Sequence, residues 1–213
     1  MANSDYLIHG TRLENLIKIL KSGYIDNKPK KKDIIMLKNE PSNQIFTQLI
    51  YRNIPNEKTQ IPHWWNCVIV LDKKILKDYP FYATYVGGFT DKFENGKTSE
   101  NTIIYGEGNL DSMPNLTKLK NIINTSLDSN ILQSVSFIHS NEILFNKHIP
   151  LDTYCKCIII YGPYITDKER QQKQHIIALA NNVNIPIKVY NLKKKYHLTG
   201  LNNFIDIIEK NRQ

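Results

Sequence analysis

Leu7-Ile8-His9-Gly10-Thr11, followed by Asn15-Leu16 and closing at Gly23, is the stretch from which the fold is read. A short apolar strand delivers a histidine and a threonine to its end. Leu13, Leu16, Ile17 and Leu20 then recur at helical spacing, and Gly23 stands where a left-handed cap would stop the helix. A polar pair at a strand end, just ahead of a helix, is a common place for a ligand site. The same residues also suit a histidine with a purely structural role, because short motifs of this kind arise by chance.

The rest of the chain frames that stretch. With 213 residues there is enough sequence for one domain with a sizeable core. Twelve tyrosines, two tryptophans and seven phenylalanines exclude a disordered chain, which would be poor in aromatics. No apolar run is long enough for a membrane-spanning helix, and Met1-Ala2-Asn3-Ser4-Asp5 does not read as the start of a secretory signal. Cys67, Cys155 and Cys157 form no even disulfide framework and no zinc-site spacing, so reduced thiols are expected. Cys155 and Cys157, two apart in an apolar run, suit one face of a strand. The expected location is therefore the cytoplasm, or the cytosol of a host cell for a viral or toxin protein. The net charge of +8 permits a polyanionic partner. Its basic clusters, Lys30-Lys31-Lys32 and Lys193-Lys194-Lys195, sit in expected loops, where solvated surface lysines are equally well accommodated.

Along the chain, Gln44 to Thr47 reads as a short strand after the turn signal Pro41-Ser42-Asn43. Trp64 to Leu71 reads as a buried strand, followed by about one helical turn near Ile75-Leu76. Residues 78–134 are the least patterned and read as an insertion or lid, with a helix expected over 115–130. Gly106-Glu107-Gly108 lacks the third glycine and the Lys-Ser/Thr of a phosphate-cradling loop. Strands are expected over 135–139, at Glu142–Phe145 and over 155–161. Thr166 and Glu169 form a capping-box pattern for a helix from Asp167 to about Asn181. Ile185 to Tyr190 follows as a strand whose proline suits an edge, and an amphipathic helix closes the chain over 201–210. One α+β domain over 1–213, with 166–213 as a helix–strand–helix extension, is the simplest organisation.

Two places invite chemistry. One is His9-Gly10-Thr11 with its Asn15-Leu16 helix. The other is Ser140-Asn141-Glu142-Ile143-Leu144-Phe145, where a carboxylate is set into strand-forming residues. A strand glutamate facing a core is costly unless paired or usefully placed, whereas one facing outward from a half-exposed strand needs no explanation. Both readings stand on spacing alone.

Taken in this order, the two segments resemble the ADP-ribosyltransferase superfamily in its diphtheria-toxin and poly(ADP-ribose) polymerase-like branch. The first segment is most similar to the DNA-modifying transferases of toxin–antitoxin systems. It shares their strand His-Gly-Thr and, at Asn15-Leu16-Ile17-Lys18-Ile19-Leu20-Lys21-Ser22-Gly23, a pattern close to their Asn-Leu-x-x-Ile-Leu-x-x-Gly. The second segment resembles the family's strand glutamate followed by apolar residues, a connector and a further strand. The resemblance covers 7–25 and 135–161 and is vague between them.

That resemblance implies a split β-sandwich of two small mixed or antiparallel sheets flanked by helices, with an NAD cleft. It also implies NAD as substrate, with no metal. Glu142 would stabilise an oxocarbenium-like ribose, as glycosidase carboxylates do. His9 would bond the adenosine ribose, Thr11 would help hold the dinucleotide, and the Gly10 backbone would bond the nicotinamide amide. Phe46 would stack on nicotinamide where polymerase-like members have a tyrosine, with Tyr51, Tyr82 and Tyr85 as substitutes; stacking needs only the π-face. Ser140, also assigned to the NAD site, stands two residues before Glu142 where arginine-modifying toxins carry a second glutamate, which argues against arginine as acceptor. Arg12 could meet the pyrophosphate or be an ordinary exposed helix arginine.

The function so implied is mono-ADP-ribosyl transfer to nucleic acid or protein, with Lys30–Lys32 and Lys193–Lys195 flanking the cleft in the nucleic-acid case. A catalytically inactive binding module of the same fold is the alternative. A metal-free nuclease using His9, His139 or His148 would explain the charge but would leave Glu142 without a role.

Overall fold

A computed structural model of the protein describes residues 5–26, 45–51, 66–79, 81–84, 103–108, 142–162, 166–190 and 201–210, with the backbone alone described at 82–84, 103–108, 142 and 201–204. In chain order the elements are β1 (Asp5–Thr11), α1 (Leu13–Ser22), β2 (Tyr24–Ile25), β3 (Ile45–Tyr51), β4 (Cys67–Leu71), α2 (Ile75–Asp78), β5 (Phe81–Thr84), β6 (Ile103–Gly108), β7 (Glu142–Phe145), β8 (Ile149–Pro150), α3 (Leu151–Tyr154), β9 (Cys155–Tyr161), α4 (Asp167–Asn182), β10 (Ile187–Tyr190) and α5 (Leu201–Glu209). The chain is a mixed α+β protein. Its strands hydrogen-bond in the order β10-β9-β4-β1-β3-β7-β5-β6, and β2 pairs separately with β8.

Every residue of β4 is buried, as its unbroken Cys-Val-Ile-Val-Leu run requires of a strand covered on both faces. β4 lies antiparallel to β1 on one side and to β9 on the other. The β4–β9 register shifts between Val70 and Leu71, opposite Cys157 and Cys155. Lys156, between the two cysteines, turns out to an ion pair with Asp72 at 2.8 Å. The even alternation expected of Cys155 and Cys157 is therefore interrupted by a bulge, which re-aims the intervening side chain. β10 runs parallel to β9 and forms one edge of the described ladder; the Pro186 carbonyl accepts from Ile158 N–H at 2.8 Å just before it.

Helix α1 buries Leu13, Leu16 and Leu20. Glu14 in its first turn and Lys21 in its last complement the helix dipole. Gly23 ends it at φ +80, donating its N–H to the Ile19 carbonyl, and its own carbonyl accepts from Leu151 N–H at 2.9 Å. That last bond ties the end of α1 to the connector after β7, where β2 pairs with β8. The Thr166–Glu169 capping box is present in both directions at α4, which packs on α1. α5 packs against β3, and Lys188 of β10 donates to the Ile207 and Ile208 carbonyls at its C-terminal turn. This arrangement suits the negative end of a helix dipole.

Two strands, β5 and β6, come from the stretch read as an insertion or lid, and both join the sheet through β7. Gly106-Glu107-Gly108 is strand, with Gly108 opposite Phe81. The helix expected over 115–130 and the strand expected over 135–139 lie outside the described residues. No described helix is long and apolar enough to cross a membrane.

Candidate functional site

The site is built around β3, which belongs to two ladders at once. Its second half pairs with β1, Tyr51 opposite Asp5 through Gln48 opposite Ile8. Its first half pairs on the other edge with β7, Ile45 opposite Phe145 through Thr47 opposite Ile143. The β1–β3 ladder stops at Ile8. Beyond it, among the described strands, His9, Gly10 and Thr11 pair only with Ile69, Val68 and Cys67 of β4. Among the described residues, the facing backbone edges of β1 at His9–Thr11 and of β3 at Ile45–Thr47 carry no ladder, which leaves a notch in the pairing between them.

His9 reaches across from β1 to β3. Its Nδ1–H donates to the Phe46 carbonyl at 2.8 Å. A carbonyl can only accept, so neutral His9 carries its proton on Nδ1 and presents Nε2 as an acceptor. Burial lowers the pKa of the imidazole below the usual histidine range, and the bond to Phe46 offsets part of that effect. The folded state thus favours the neutral ring. The unfolded chain binds this proton more readily, so its contribution to stability is complete above the unfolded pKa. That contribution is lost as pH falls through about 6.5 toward the lower folded value. Replacing His9 by Gln is expected to flatten the fall in Tm between pH 7.5 and 5.5, as read by calorimetry. An unchanged slope would show that the ring does not titrate in this way.

Thr11 is buried, and its carbonyl accepts from Asn66 N–H at 3.1 Å and from the Cys67 thiol at 3.2 Å. Phe46 stands out on β3. It is 38% exposed while its neighbours Ile45 and Thr47 are buried. Thr47 donates its hydroxyl to the Ile143 carbonyl at 2.8 Å, fastening β3 to β7 beside the notch. Glu142 begins β7 and pairs with Thr84 of β5. It directly precedes Ile143, whose pairing with Thr47 is the last rung of the β3–β7 ladder. β3 alone therefore separates the strands of His9 and Glu142, two strand spacings or roughly 10 Å.

Of the residues singled out from the sequence, His9 and Gly10 stand on β1, Phe46 on the neighbouring β3 and the backbone of Glu142 on β7 next to it, with the His9–Phe46 hydrogen bond joining the first two strands. Ser140 and both lysine clusters, Lys30–Lys32 and Lys193–Lys195, lie outside the described residues, as do His139 and Tyr85. Tyr51 is corrected: it is 3% exposed in the core beside Asp5, so its ring is not free to stack on a ligand. Its phenol is pushed above the usual tyrosine range by burial and by Asp5. His148 lies in the turn after β7 with its ring 5.2 Å from that of Tyr24. Arg12 is exposed at the N-terminus of α1, directly after Thr11.

One residue of the site was not anticipated from the sequence. Gln48 is only 2% exposed, and neither its Nε2 nor its Oε1 has a hydrogen-bond partner among the described residues. A buried amide left unbonded costs about 1–3 kcal/mol. The sequence signal was present: β3 extends from Ile45 through Tyr51, and Gln48 is an amide in an otherwise largely apolar strand.

Cys67 and Cys155 are not poised for nucleophilic work. Burial, with Cys157 adjacent, pushes Cys155 up to about 12, and burial raises Cys67 as well. Both are expected to resist iodoacetamide at pH 7.5 for as long as the fold persists and to react once it is unfolded. Rapid labelling of the folded protein would contradict that assignment. Among the described residues no group of three or more His, Cys, Asp or Glu side chains gathers in a metal-binding arrangement.

No family model matches the chain, and no curated protein matches it at a significant level.

Proposed function

We propose that the protein is an NAD-dependent mono-ADP-ribosyltransferase whose cleft is the notch between β1 and β3. The observation that carries this reading is the convergence of the two resembling segments. His9-Gly10-Thr11 and Glu142 are far apart in sequence, yet their strands flank the same strand, β3, where its two ladders part. In this proposal the eight-strand ladder is an ADP-ribosyltransferase-like split sandwich hinged at β3.

The residue chemistry supports the reading. Neutral His9 offers Nε2 to accept a hydrogen bond from a ribose hydroxyl, and its Nδ1–H bond to Phe46 fixes the ring for that task. The Phe46 face is available to stack on a flat cationic ring. The α1 N-terminus and exposed Arg12 favour an anion, which suits a pyrophosphate. Glu142 stabilises positive charge on the ribose as the C1′–N bond breaks. The bonding electrons leave with neutral nicotinamide. An acceptor oxygen or nitrogen then bonds C1′ and releases its proton, so NAD and acceptor yield ADP-ribosylated acceptor, nicotinamide and one proton.

The acceptor is nucleic acid or protein, and the +8 charge supports the former. Incubation with labelled NAD and either nucleic acid or protein, followed by mass analysis, tests the proposal. The expected product is an acceptor carrying one ADP-ribosyl group. Binding of NAD without cleavage, with both acceptor classes supplied, would favour the inactive module instead, a reading that the missing hydroxyl at Phe46 keeps in play. In the nucleic-acid case, affinity should fall steeply with added salt.

A further inference from the structure

The reading of the notch as an NAD site leaves Gln48 without a task. Alternation along β3 sets Phe46, Gln48 and Ile50 on one face, with Gln48 where the ladder to β1 ends. Ile50 is fully buried and Phe46 is exposed, so Gln48 lies at the step from core to notch. Its amide has lost water at both ends and, among the described residues, gained no bond in return. Leucine or methionine would fill such a place without that loss, and Leu49 and Ile50 show that the strand accepts aliphatic residues here.

We infer that Gln48 is a specificity-determining residue that, together with the Gly10 backbone, reads the carboxamide of the ligand whose ring stacks on Phe46. The inference rests on the NAD reading and adds to it the group that distinguishes a nicotinamide from its acid. The donor and acceptor inventory selects that partner. Nε2 needs an acceptor and Oε1 needs a donor, in one plane and side by side; a carboxamide supplies both, whereas a carboxylate supplies only acceptors. The three rotatable bonds of Gln48 let its amide turn to meet a ligand entering the notch, and the flat ring of such a ligand would exclude water from the pair. A site built to bond a polar group rejects the analogue lacking it, because its own amide is then left unpaired.

The test is calorimetric titration of the wild-type protein, Gln48→Leu and the length-matched Gln48→Met with three probes. These are NAD, its deamidated analogue carrying a carboxylate, and ADP-ribose, which has neither group. The wild type is expected to prefer NAD to the deamidated analogue by about tenfold or more, the scale set by leaving a buried polar group unpaired. Either variant should lose that preference, keep its affinity for ADP-ribose and, in the free state, melt at a higher temperature than wild type. Retention of the preference would overturn the inference. So would a parallel loss of NAD and ADP-ribose binding, which marks a structural role, or a loss confined to ADP-ribose, which marks contact with adenine. If the wild type binds none of the three, the NAD reading itself fails and the inference falls with it. If wild type binds NAD and the variants bind it equally well, only the inference fails.

Discussion

Replacing Glu142 by Gln is expected to lower nicotinamide release from NAD by about 10²–10³-fold, the scale of removing one preorganised electrostatic contact from a reacting centre. The change keeps the shape of the side chain and removes its charge. The oxocarbenium-like ribose would then form beside a neutral amide, with nothing offsetting the positive charge that develops as the bond breaks. The fold should be indifferent to the change. β7 is held by backbone ladders to β3 and β5 and by the Thr47 hydroxyl on the Ile143 carbonyl, none of which uses the Glu142 carboxylate. NAD affinity should change little, so the loss should fall on kcat more than on KM. Chromatography of released nicotinamide measures the rate, and circular dichroism with a melting curve checks the fold. A Glu142→Gln variant that keeps more than a tenth of the activity would remove Glu142 from the mechanism.

The largest expected effect on stability is at Ile69→Ala. Ile69 is fully buried in β4, paired with His9 on one side and Ile158 on the other. Truncation to Ala removes the transfer energy of the lost carbons and leaves a cavity among close-packed neighbours, a cost of about 2–5 kcal/mol. For a chain of this size that lowers Tm by roughly 4–20 °C at about 2–4 °C per kcal/mol. Because β4 is the one described strand that pairs with His9, Gly10 and Thr11, the same change should also loosen the notch and weaken ligand binding. Differential scanning calorimetry reads the first effect; a shift of under 1 °C would place Ile69 outside a tightly packed core.

Local patterns made the elements legible, but not their arrangement. The spacing of Leu13, Leu16 and Leu20, the glycine at 23 and the Thr166–Glu169 pair each act within a few residues, so α1 and α4 could be read directly. β4 was legible for the same reason, as an uninterrupted apolar run. The placement of β3 between β1 and β7 was not, because it depends on strand pairings over long sequence separations that periodicity does not record. β3 itself reads short when its polar Gln48 is taken as the end of an apolar run. The strand in fact continues to Tyr51, and that extension buries both Gln48 and one of the three tyrosines named as substitutes for Phe46. His9 stood out as a polar group at a strand end, and Phe46 was singled out only through the family resemblance. Their direct hydrogen bond was not legible, since it joins a side chain to a backbone carbonyl 37 residues away.

The most direct test of the central claim, that the notch at β3 holds NAD, is a titration of isotopically labelled protein with NAD followed through its backbone amide resonances. Binding in the notch predicts saturable shifts concentrated at Ile8, His9, Gly10, Phe46, Thr47 and Ile143, with β10 and α4 unmoved. Shifts centred elsewhere, or no shifts at millimolar NAD, would contradict it.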